Sequence, residues 1–162
     1  MSAPAYDVLL LLHIAAAVVG FGAIAVAGLR ARAGRRSADP ARDVSLRRFF
    51  APGPDRPARA IFLVPLLGLG LLFGGDRHDV GAAWPWIGLS IWIVAAGLAT
   101  GVCWPAERDA QEALGLLDRT TDDDGGAVLS TAFRASCRRM ERSVGWISIC
   151  FLAAVAVMVL QP

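Results

Sequence analysis

Four apolar stretches of this chain contain no acidic residue and no Arg: Val8–Leu29, Ala60–Gly75, Trp84–Trp104 and Val144–Leu160. As helices rising about 1.5 Å per residue they reach roughly 33, 24, 31 and 25 Å, which brackets the roughly 30 Å hydrocarbon core of a bilayer. The chain is 56% hydrophobic over 162 residues. A soluble domain of that length would have too little polar residue to cover its outside, so lipid must cover it. The fold class expected is all-α: four transmembrane helices in a bundle, forming one membrane domain over residues 1–162.

The charge pattern orients the bundle. All 16 basic residues are Arg. Nine lie in Arg30–Arg59, six in Pro105–Arg142, and only Arg77 lies elsewhere. Arg-rich loops are retained in the cytoplasm, which places both long loops inside and both termini outside. Tyr6, Trp84 and Trp86 mark the outer interface, and Trp104 and Trp146 the inner one. The N-terminal run lacks a basic start and a small-residue cleavage site, and its 22 residues are too long for a signal core, so it is expected to stay as the first span. Pro65 removes an N–H from the short second segment, and a bend is expected there. Arg56 and Arg59 are placed to snorkel and lengthen that span.

The two cytoplasmic loops read differently. The first is Pro- and Arg-rich with one hydrophobic piece, Leu46-Arg47-Arg48-Phe49-Phe50, which reads as solvated or as lying on anionic headgroups. Nothing in it resembles a nucleic-acid reading module. The second turns at Thr120–Gly126 between two arms of helical period. One repeats Ala106, Ala110, Ala113, Leu114 and Leu117; the other repeats Val128, Leu129, Ala132, Phe133, Ser136 and Met140. The first arm is acidic and the second basic, so they are expected to pair antiparallel with Glu107 level with Arg142 and Glu112 level with Arg138, extending segments 3 and 4 into the cytoplasm. A calcium loop ending at Gly125 would put Thr131 where the bidentate Glu belongs, and is rejected.

Chemistry has few places to sit. His13 lies roughly 8 Å inside the outer edge by helical rise. It shares a helical face with Ala16, Gly20, Ala23 and Ala27, while Leu11, Ile14 and Val18 point away. Small residues permit close helix approach, so His13 is expected to face the bundle. Two principal readings stay open for it: an imidazole hydrogen-bonded across helices, the commoner use of a lone intramembrane His, and a ligand to haem iron or another metal. Proton handling is a third. His78, in the short outer loop Asp76–Asp79, is on the same side, so that His13 and His78 together form the candidate cofactor-binding pair, for one haem at most. Cys103, Cys137 and Cys150 show no pairing or metal spacing and read as small core hydrophobes. Gly70-xxx-Gly74 and Gly97-xxx-Gly101 read as packing motifs. There is no Ser/His/Asp order, phosphate loop or HExxH pattern, and no charge within a span to serve a transporter.

The chain resembles a bacterial family of four-helix integral membrane proteins, an uncharacterised domain of unknown function, and more distantly the copper-resistance D and membrane protoporphyrinogen-oxidase-like proteins. Leu12-His13 with Gly22, Arg59 with Val64-Pro65-Leu66-Leu67-Gly68, Trp104-Pro105-Ala106-Glu107-Arg108 and the ending Met158–Pro162 carry the resemblance. The related families often have Trp two residues before that Gly, where this chain has Gly20. The resemblance implies a multi-pass protein of the bacterial plasma membrane, haem b as the cofactor if one is bound, and His13 as its ligand. The first function expected is a structural or partner-binding membrane component, in contact with the bilayer and with a second copy or another membrane protein. A haem-binding redox protein is the alternative and a small transporter the third.

Overall fold

The computed structural model describes residues 3–51, 53, 57–74, 81–119 and 123–160. All regular structure among them is helical: α1 (Ala3–Arg36), α2 (Val44–Phe49), a 3₁₀ segment (Pro57–Phe62), α3 (Leu63–Gly74), α4 (Ala83–Leu98), a π-helical turn (Ala99–Cys103), α5 (Trp104–Leu117) and α6 (Asp123–Val159). Four stretches are long and apolar enough to cross a membrane: Pro4–Arg36, Pro57–Gly74, Ala83–Leu117 and Asp124–Val159. Each matches one apolar segment of the sequence, and three of them run well past it. The chain divides into two compact units, Met1–Ile24 with Asp55–Ala96 and Ile147–Pro162, and Ala25–Pro54 with Gly97–Trp146.

The first unit is held by close backbone approach. A Cβ built on Gly20 would lie 2.5 Å from the Ile61 nitrogen, so α1 meets the 3₁₀ segment almost backbone to backbone. The same face of α1 buries Ala16, while Leu11, Ile14 and Val18 are exposed. Just before Pro65, where a bend is expected, the helix type changes, 3₁₀ up to Phe62 and α from Leu63. Proline fits the first turn of a helix, where an N–H has no helical acceptor. Its cost falls on the Ile61 carbonyl four residues back, and Trp92 Nε1–H donates to that oxygen at 2.9 Å. Phe62 packs edge-on against Trp92, and the Phe21 and Phe151 rings lie tilted to each other with centroids 4.5 Å apart. Outward, Leu66, Phe73, Leu152 and Val159 are each more than 60% exposed.

The second unit has an apolar interior of Ala27, Ala31, Leu46, Phe50, Ala106, Ala110, Leu114, Phe133, Cys137 and Met140. Both arms of the second loop are helical, as their period predicts, with three differences. Asp123–Gly126 lies within α6 and does not form a turn, and Thr120–Asp122 lies outside the described residues. The opposed charges form Asp109–Arg139, with Arg139 Nη2 2.6 Å from Oδ2, while Glu112 and Arg138 make no ion pair with each other and Glu107 is buried. Val128 and Ala132, expected on the packed face, are exposed, and Cys137 takes a place there.

α1 and α2 share α6 with α5. Gly34 rests on Phe133 and Cys137, with a built Cβ 3.1–3.2 Å from them. Arg32 and Arg35 both reach Glu141, Arg35 Nε donating to it at 2.9 Å. Arg134 donates to the carbonyls of Ser37 and Ala38, capping the end of α1 with a cation. The hydrophobic piece of the first loop buries Leu46 and Phe50 and leaves Arg47 and Arg48 exposed. Asp43 caps α2 by accepting from the Ser45 and Leu46 amides. The helix then inserts Leu46 and Phe50, Phe50 standing edge-on to Phe133 at 5.4 Å. Arg47 meanwhile pairs outward with Asp118 at 3.2 Å.

Candidate functional site

His13 turns inward, as the small-residue stripe requires. Its Nδ1 lies 2.9 Å from the Val64 carbonyl oxygen. A carbonyl only accepts, so Nδ1 carries the proton and donates. In the neutral ring Nε2 is then left with its lone pair. One turn along α3, a Cβ built on Gly68 would lie 3.1 Å from His13 Cε1. The imidazole is thus laid along the Val64–Gly68 face, and Gly68 supplies the room. Of the stripe, Ala16, Gly20 and Ala27 are buried and Ala23 is half-buried.

The ring lines a cavity of about 920 Å³. Its walls come from the first half of α1, from α3, from the start of α4 and from the end of α6, Leu10, Leu69, Leu72, Trp86 and Phe151 among them. Along α1 it runs from Tyr6 to Val18, a depth of about 18 Å by helical rise. Asp7 also lines it, six residues and about 9 Å along the axis from His13. Trp92 belongs to the wall too, with its Nε1–H committed to Ile61. Among the described lining residues Asp7 is the acidic one and none is Arg.

No family of proteins, no characterised protein and no solved structure matches the chain. The site is therefore read on its own chemistry. His78 lies outside the described residues, so the pairing of His13 with His78 has no geometry. Among the described residues, no group of three or more His, Cys, Asp or Glu is placed to hold a metal ion. Cys103 and Cys137 are buried in the second unit. Position 20 has no room even for a methyl group, because the Ile61 backbone closes it.

Three features of the site escape a reading of spans alone. Asp7 stands just before the first apolar segment, outside any span. The Val64 carbonyl is a backbone group that no side-chain pattern announces. Trp92 was legible in principle: an indole N–H in the middle of an apolar segment needs an acceptor, and Pro65 creates one.

Proposed function

We propose that this chain is a multi-pass protein of a cell membrane whose first unit binds an apolar ligand in the cavity beside His13. The observation that carries the reading is the imidazole with one nitrogen fixed by the Val64 carbonyl and the other left available, lining about 920 Å³ of mostly apolar wall. Binding cavities are commonly apolar with a few placed polar groups, and a ring nitrogen oriented by a backbone acceptor is how His ligands are usually held. The exposed Leu and Phe of the outer faces support burial in lipid. The Arg loops support an orientation with both termini outside, which puts the cavity in the outer half of the bilayer.

Haem b, which the resemblance implies, fits this site in part. His13 Nε2 and the cavity volume suit the iron and the macrocycle. The two haem carboxylates find Asp7 and no Arg among the described lining residues, so we do not adopt haem as the ligand. Titration of the purified protein with an uncharged fluorescent aromatic, N-phenyl-1-naphthylamine, tests the reading. Its emission should rise on binding and fall when the cavity is filled by Leu69→Trp. No rise, or a rise indifferent to Leu69→Trp, overturns the proposal, and a Soret band lost in His13→Ala would restore haem.

A second reading, self-association or partner binding, is supported by Gly97 and Gly101. A Cβ built on either meets nothing within 4 Å, whereas Gly20, Gly28 and Gly34 are used up inside the chain. Small residues four apart on an open face let helices approach in lipid. Gly97→Ile should then weaken association measured by sedimentation in detergent, and an unchanged monomer in both proteins removes this reading.

A further inference from the structure

The polar inventory of the cavity selects among apolar ligands. We propose that it takes an uncharged aromatic hydroxyl compound of the phenol or quinol class, donating its O–H to His13 Nε2, with Asp7 excluding anions. This rests on the cavity reading above and names its ligand class. Deep in the cavity, Trp92 Nε1–H is committed to Ile61 and His13 Nδ1–H to Val64. Among the described side chains that line the cavity at that depth, the polar atom left is the Nε2 lone pair, an acceptor. A quinone, ester or ether brings only lone pairs and meets Nε2 without a proton between them, leaving two polar atoms desolvated and unpaired. A hydroxyl supplies the proton.

The walls argue for an aromatic body. Trp86, Trp92 and Phe151 present ring faces or edges, for which a flat aromatic is the natural partner. Charge is set at the shallow end. Asp7 brings a carboxylate to the cavity, and no described Arg lines it, although the chain has 16. An anionic ligand would meet like charge where it enters, and an uncharged one would not.

The experiment uses the full chain in nanodiscs of zwitterionic lipid and three probes with one ring system: 2-naphthol, 2-methoxynaphthalene and 2-naphthalenesulfonate. Binding is read by quenching of tryptophan emission, and each variant is compared with wild type so that partitioning into lipid cancels. Naphthol should bind about fivefold more tightly than its methyl ether, the size of one net hydrogen bond. In His13→Asn, whose amide N–H can still reach the Val64 carbonyl but which lacks Nε2, the two should bind alike. The sulfonate should bind more weakly than naphthol at low salt, and Asp7→Asn, at an exposed position, should narrow that gap. Equal binding of naphthol and ether to wild type, or a preference that survives His13→Asn, overturns the assignment to His13. A sulfonate as tight as naphthol, or indifferent to Asp7→Asn, overturns the role of Asp7. If all three probes bind alike the cavity reading stands and the ligand class falls; if none binds, both fall.

Discussion

The Trp92 indole Nε1–H donates at 2.9 Å to the carbonyl of Ile61, the oxygen that Pro65 leaves without its helical donor. A side chain on one helix thereby mends a backbone defect on another. Trp92→Phe should cost about 1 kcal/mol in detergent unfolding, within the usual range for hydrogen bonds in membrane proteins. In Pro65→Ala the backbone N–H is restored, so the same Trp92→Phe change should cost less. Equal costs in the two backgrounds would show that the indole serves packing alone.

Gly20 sets how closely α1 approaches the 3₁₀ segment. An added methyl would meet the Ile61 backbone at 2.5–3.0 Å, and backbone does not give way as a flexible side chain does. Gly20→Ala should therefore cost about 2 kcal/mol, as overpacking commonly does. Gly22→Ala, with nothing within 4 Å, should be nearly neutral. Thermal unfolding of both variants compares them directly.

In the second unit the two ion-pair sites differ in weight. Asp109 pairs with Arg139 with both side chains about half exposed, where a pair is worth about 0–1 kcal/mol. Glu141 is more buried and meets both Arg32 and Arg35. Glu141→Gln should destabilise the unit by about 1 kcal/mol, more than Asp109→Asn does, and added salt should shrink the Asp109 effect more. The reverse ranking in chemical denaturation would contradict the assignment of Glu141 as the joint between α1 and α6.

The Ser45 hydroxyl, with the Leu46 amide, holds the Asp43 carboxyl below its ordinary range. A depressed folded-state value means that the stabilisation is complete above the unfolded-state value and lost as pH falls through the folded one. Acidification below the usual carboxylate range should thus loosen α2, and Asp43→Ala should loosen it at neutral pH. Hydrogen exchange at the Leu46 amide reads both. Exchange unaffected by either would mean that insertion of Leu46 and Phe50 holds the helix without its cap.

The orientation is open to a simple check. Reporter fusions at Pro162 and within Arg30–Arg59 should report opposite sides, with the terminus outside, because fifteen of the 16 Arg fall in the two long loops. A terminus reported inside would put the cavity in the inner leaflet.

The sequence by itself determined the number and places of the helices long and apolar enough to cross a membrane, and the inward face of α1. Each follows from local physics: apolar length against bilayer thickness, and a stripe of small residues that only a close neighbour can cover. It determined the helicity of both arms as well, since periodicity survives whatever the partner is. The tertiary structure alone decided how far α1 continues past its apolar segment, because Gly34 packs on Phe133 and Cys137 of α6 through contacts distant in sequence. It also decided which charges meet, Asp109 with Arg139 in essentially the expected antiparallel register, on an α6 that is shared with α1 and α2. The same holds for the site. His13 was legible as an inward polar ring, but its tautomer depends on the Val64 carbonyl, and its surroundings on Asp7, Gly68 and Trp92. A backbone acceptor and the empty space beside it have no residue type of their own, so they exist only once four helices have been brought together.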